Sequence, residues 1–192
     1  MQPLPVRHQV MQGLLALLLW LCLAAASGVR AQGVELATLQ VARADGALNL
    51  EFSARVNLPK PVEDALQHGV PIYFVAEAQL FRNRWYWRDE RVSRVTRSWR
   101  VAYQPLTGAW KLSLGGLNQT YPSMAETLAA ASRSASWRLV ELSQIDPDKS
   151  YYVEFSYRLD TSQLPGPMQF GLGAGGEWGV GASRVLKIEL QP

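Results

Sequence analysis

Residues 151–160 read YYVEFSYRLD, and their alternation decides the fold class. Tyr151, Val153, Phe155, Tyr157 and Leu159 fall on one side of an extended chain. Tyr152, Glu154, Ser156, Arg158 and Asp160 fall on the other. Successive side chains of a strand point to opposite faces, so one apolar and one polar set at period two describe a half-buried antiparallel strand.

Working outward, LNLEFSARV (48–56) repeats the pattern, with Leu48, Leu50, Phe52, Ala54 and Val56 on one face. Asp45-Gly46 precedes it, a two-residue turn in which Gly accepts positive φ without Cβ strain. Val34–Ala44 and Ala47–Val56 are therefore expected to form a hairpin. Pro71–Phe81, Trp85–Arg88, Val92–Gln104, Trp110–Leu114, Trp137–Leu142, Met168–Leu172 and Arg184–Leu190 read as further strands. KPVEDALQHG reads as a short helix closed by Gly69. PSMAETLAAASR reads as a second, with Ser123 and Glu126 at capping-box spacing. QPLTGAW is a turn, because Pro105 cannot continue a ladder. About nine strands and two short helices, with no βαβ alternation and no linker, predict one all-β, mainly antiparallel domain over 32–192: an immunoglobulin-like β-sandwich, with a closed barrel as the alternative. The interrupting helices and the ending IELQP disfavour an outer-membrane barrel.

The N-terminus reads as an address. Arg7 and His8 precede the apolar run VMQGLLALLLWLCLAAA, and VRA follows with small residues at Val29 and Ala31. That pattern predicts a secretory signal peptide over 1–31, cut after Ala31; retention as a membrane anchor is the rival. The residues before Cys22 (Leu19, Trp20, Leu21) are too large for a lipoprotein signal. Cleavage would remove Cys22, the one Cys of the sequence. The mature chain then has neither disulfides nor thiol chemistry, and is long enough to bury a core without them. A bacterial periplasm fits best.

Few chemistries survive inspection. His68 would be the one imidazole of the mature chain, and beside Gly69 it suits a helix C-terminus better than a nucleophile. Zinc needs more Cys and His than remain. Asp146 and Asp148 in DPDKS lack the other ligands of a calcium site. GLGAGG (171–176) matches a dinucleotide-binding spacing, but too few residues follow it for the helix and acid that chemistry needs; a turn is expected there. Glu77, Asp89, Glu90 and Glu154 could run glycoside hydrolysis only as a pair at defined separation, which spacing does not reveal. Asn118-Gln119-Thr120 is a sequon without consequence in a bacterial periplasm. No cofactor is expected and no enzyme activity, the alternative being an envelope-glycan binder or hydrolase with Asp89 or Glu90 near the bond.

Charge is uneven. Nineteen Lys and Arg less Arg7 and Arg30 leave 17, against 16 Asp and Glu. Within Arg82–Arg100, seven Arg face only Asp89 and Glu90, a local +5 on a remainder of −4. RNRWYWRDERVSRVTRSWRVAY (82–103) also carries three Trp and two Tyr. Alternation would put Trp85 and Trp87 on one face, and Arg91, Val95, Arg97, Trp99, Val101 and Tyr103 on one face of the next strand, opposite Arg94 and Arg100. Arg on both faces implies an edge strand, or one that projects past the core. The plain reading is a solvated strand whose Arg stems cover Trp rings. The functional reading is a docking surface built from Trp85, Tyr86, Trp87, Arg88, Arg91, Arg94, Arg97 and Arg100, since Arg, Trp and Tyr are enriched at interface hot spots. Export argues against nucleic acid. An acidic patch on an envelope protein ranks first as partner, and an anionic glycan, peptidoglycan or lipopolysaccharide, second.

EAQLFRNRWYWRDE, YQPLTGAWKLSLGGLNQTY and YYVEFSYRLDTSQLPGPMQFGLG together resemble the DUF4390 family of proteobacterial exported proteins. The resemblance covers essentially the whole mature chain. It implies a domain without an assigned reaction and brings no catalytic residues with it. Proteins similar to it are encoded beside a membrane sensor histidine kinase and its response regulator, which adds the sensor's extracytoplasmic part to the expected partners.

Overall fold

The computed structural model describes residues 33–86, 88–164 and 180–189. Asp45 and Gly46 take φ of 52° and 71°, the left-handed pair a type I′ turn requires. They join β1 (Gly33–Ala44) to β2 (Ala47–Asn57) in an antiparallel hairpin. The chain continues through α1 (Lys60–Gln67), β3 (Ile72–Arg82), β4 (Glu90–Gln104), β5 (Ala109–Leu114), β6 (Leu117–Tyr121), α2 (Met124–Ala131), β7 (Arg133–Glu141), β8 (Tyr151–Leu159) and β9 (Gly181–Ile188).

Among the described residues these strands form two antiparallel sheets. One has three strands in the order β1-β2-β7, and the other six in the order β6-β5-β4-β3-β8-β9. The sandwich expected from alternation is present, divided three and six where an immunoglobulin constant-type domain divides four and three. Its centre is aromatic. The Phe52 ring, from the small sheet, lies 4.8 Å from Phe155, 5.5 Å from Tyr157 and 6.0 Å from Trp99 of the large one, tilted or edge-on. Such arrangements set ring edges against ring faces and add to the burial gain. The buried Tyr157 hydroxyl donates to the Ala131 carbonyl at 3.1 Å, so its polar end is satisfied.

Four one-residue slips shape the strands, the first leaving Ala37 of β1 extra between Leu36 and Thr38. Leu50 pairs with Trp137 but Phe52 with Ser134, so β7 carries an extra residue there, beside Ser136 at φ 51°. Leu48 pairs with Val140 but Asn49 with Arg138, which leaves Leu139 extra. Its carbonyl accepts from the Ser93 hydroxyl at 2.7 Å, a stitch between the two sheets. In β4, Leu80 pairs with Ser93 but Phe81 with Arg91, so Val92 is the extra residue. Bulges of this kind re-aim every side chain beyond them.

Several expectations need correction. Trp85–Arg88 is not a strand: Asn83–Asp89 is the loop between β3 and β4, with Trp87 outside the described residues. β6 was not anticipated; it turns back from β5 through Gly115 and Gly116 at φ 54° and 88°. Ser123 caps α2 by accepting the Glu126 N–H at 3.2 Å, but Glu126 answers the Ser123 hydroxyl rather than its backbone N–H. β7 begins earlier than Trp137, and β9 earlier than Arg184. The segment 1–31, Met168–Leu172, the glycines of 171–176 and Leu190 lie outside the described residues.

Candidate functional site

The Asn83–Asp89 loop stands on a pinned base. Arg82 and Arg84 both place a guanidinium on the Glu90 carboxylate. Asp89 accepts the Arg84 backbone N–H on Oδ1 at 3.0 Å and the Tyr152 hydroxyl on Oδ2 at 2.9 Å. The Asn83 N–H reaches the Ser150 carbonyl at 2.9 Å. Beneath them the Phe81 and Tyr152 rings stack at 5.2 Å. The electrostatics agree. The Arg84 N–H and then Tyr152 hold the Asp89 carboxyl below the ordinary carboxylate range, and Arg82, then Arg84, do the same for Glu90. Desolvation, then the bond to Asp89, pushes the Tyr152 phenol up to about 12.

On this base sits an aromatic tip. Trp85 is 92% exposed and Tyr86 69%, with their rings edge-to-face at 4.9 Å. Arg88 follows, exposed, with no carboxylate partner among the described residues.

The remaining arginines divide between the two faces of the large sheet. Arg91 pairs with Phe81 and Arg94 with Gln79, both on the outer face of the large sheet. The extra residue at Val92 has therefore moved Arg91 from the Arg97 face, where alternation put it, to the Arg94 face. Arg94 reaches Glu77 Oε2 at 2.7 Å, and that bond lowers the Glu77 pKa. Arg91 makes a 3.4 Å contact with Gln79 Oε1. Arg100 lies further along, donating to the Tyr73 hydroxyl at 3.2 Å. Arg97 points the other way. It pairs with fully buried Ala76, donates to Ser134 Oγ at 2.5 Å and lies 5.1 Å from the centre of the Trp137 ring. Burial lowers its pKa. Arg97 is a structural link between the sheets.

The expected edge exists over part of the strand. β4 pairs with β3 from Glu90 to Val101, but with β5 only over Trp99–Gln104. Among the described residues nothing pairs with Glu90–Ser98 on that second side.

The residues weighed for chemistry take the following places in the fold. His68 Nδ1 lies 2.6 Å from the Asp64 carbonyl, at the end of α1. Asp146 accepts the Asp148 N–H at 3.0 Å, a local turn. The residues that fix the loop were missed as a group. Asp89 and Glu90 gave a local signal, as the only acids in the Arg run, but Tyr152 lies on a distant strand and gave none.

Comparison with known proteins returns a family and nothing finer. The family model described as a domain of unknown function, DUF4390, matches residues 31–186. Neither the curated proteins nor the solved structures contain a match. With the model spanning most of the sequence, the chain belongs to the DUF4390 family.

Proposed function

We propose that this domain is a non-enzymatic binding module of the bacterial envelope, exported behind segment 1–31, which docks on a protein through the Asn83–Asp89 loop. The observation that carries the reading is the Trp85–Tyr86 pair, held out on a base of hydrogen bonds and ion pairs. A loop already held in place loses little freedom on binding, so more of the contact energy appears as affinity. Trp, Tyr and Arg together make the usual anchor set. Arg88 and Arg91, without carboxylate partners among the described residues, favour an acidic patch on the partner, which speeds encounter and weakens with salt. An extracytoplasmic part of a membrane sensor is the first candidate.

The test is photo-crosslinking in living cells from a probe at Tyr86, with mass spectrometry of the adducts. One dominant envelope protein is expected, lost when Trp85→Ala and Arg88→Glu are combined in a folded domain. Sugar adducts would replace this reading with a glycan-binding one, in which the bare face of Trp85 stacks on a ring of peptidoglycan or lipopolysaccharide. No adduct from a folded, probe-bearing protein would overturn both.

A further inference from the structure

The open half of β4 has a defined shape and a defined charge. Glu90 to Ser98 is an extended edge of about 30 Å at strand rise. Alternate backbone N–H and C=O groups along it point away from β3 with no ladder partner among the described residues. It lies in line with β5, which leaves β4 after Trp99 and turns back at Gly115 and Gly116. Among the described residues the topology therefore leaves this side of β4 without a neighbouring strand. Side chains alternate along this edge except at the extra residue Val92, with Ser93, Val95 and Arg97 on the inner face. Arg91 and Arg94 stand on the outer face with Thr96 and Ser98, and Val95 faces inward opposite Ala78.

Three occupants are conceivable, and charge separates them. Two copies pairing antiparallel about Arg94 would set Arg94 against Arg94, and like charges directly opposite are destabilising. A basic segment meets the same repulsion. An acidic segment places carboxylates opposite Arg91, which has no carboxylate partner among the described residues, and Arg94, which would share its guanidinium between the segment and Glu77 at 2.7 Å; opposite charges stabilise such a cross-strand pair. Arginines on an edge commonly discourage pairing in general; here they also select the sign of what can pair.

We propose that the Glu90–Ser98 edge accepts an extended acidic segment of a partner protein as an added strand. The segment's outward residues would be Asp or Glu at every second position and its inward ones small and apolar. The inference rests on the docking reading above and specifies the partner's chemistry and the mode of contact. Main-chain hydrogen bonds would supply affinity and the arginines specificity.

The test uses the purified protein and three blocked ten-residue peptides: alternating Glu and Val, alternating Lys and Val, and the Glu-Val peptide with alternate amides N-methylated. Binding is followed by anisotropy, and its location by hydrogen exchange of the protein's amides. The Glu-Val peptide is expected to bind and to slow exchange across Glu90–Ser98. The Lys-Val and N-methylated peptides are expected to do neither. Arg91→Gln and Arg94→Gln should each weaken the Glu-Val peptide several-fold, more so at low salt. Equal protection by the Lys-Val peptide, or undiminished binding after N-methylation, overturns the proposal. No protection of Glu90–Ser98 at millimolar Glu-Val peptide also overturns it. The outcome for the parent reading is read separately: if a protein captured at Tyr86 protects Asn83–Asp89 but leaves Glu90–Ser98 unchanged, docking stands and strand addition falls.

Discussion

The two halves of β4 belong to one unbroken strand and have opposite fates. Trp99 and Val101 sit between β3 and β5, over the aromatic centre, and are buried. Arg91, Arg94, Thr96 and Ser98 have one neighbouring strand and are exposed. Composition follows neighbourhood: the half with strands on both sides carries the core residues, and the half with one carries charge. Arg97 shows the rule's limit. It occupies an inward position in the open half, and is tolerated because Ser134 takes a hydrogen bond and Trp137 offers a ring face.

This contrast can be broken most forcibly at its buried end. Trp99→Ala removes a ring packed against Phe52 and Tyr157, and is expected to cost about 3–5 kcal/mol in urea unfolding. Arg97→Ala should cost less, about 1–2 kcal/mol, from a lost charged hydrogen bond and cation–π contact. A loss near zero would mean that Arg97 belongs with the surface arginines after all.

The loop at the open end should respond to pH without global unfolding. Asp89 and Glu90 have lowered pKa values in the folded protein. Their contribution is therefore fully present above the ordinary carboxylate range and lost as pH falls through the folded values, that is, below about pH 4. Tyr152 is shifted upward, to about 12, so its bond to Asp89 persists through the ordinary phenol range near 10 and is lost as pH rises toward about 12. Hydrogen exchange at the Arg84 amide should accelerate at both extremes, and Asp89→Ala should accelerate it at pH 7. An Arg84 amide indifferent to that substitution would remove the pinned base from the account. The smallest effect is expected at the tip: Trp85→Ala, at a fully solvated ring, should leave stability within about 0.5 kcal/mol.

Much of the fold was legible because its signals are local. Asp45-Gly46 names its own turn, and β8 alternates without a break. β6 was illegible because Leu117-Asn118-Gln119-Thr120-Tyr121 has only a ragged apolar face, although the Gly115-Gly116 turn before it was there to be read. The site was half legible. Its residue types were plain, but strand propensity of aromatics reflects packing against a sheet, and Trp85 and Tyr86 have no sheet to pack against. A single extra residue at Val92 then reassigned Arg91 to the other face, and no pattern in the sequence marks it.

The order of strands in the small sheet also sets a sequence of events in folding. β1 and β2 are neighbours in the chain and can zip together at once, but an isolated two-stranded hairpin is at best marginally stable. Its third strand, β7, emerges only after β3, β4, β5 and β6 have been laid down. Until then Leu48, Leu50 and Phe52 lack their cross-strand neighbours Val140, Trp137 and Ser134. The large sheet's β3-to-β6 meander is therefore the part that can nucleate, and closure of β7 onto β2 is the late, slow step that long-range pairing imposes.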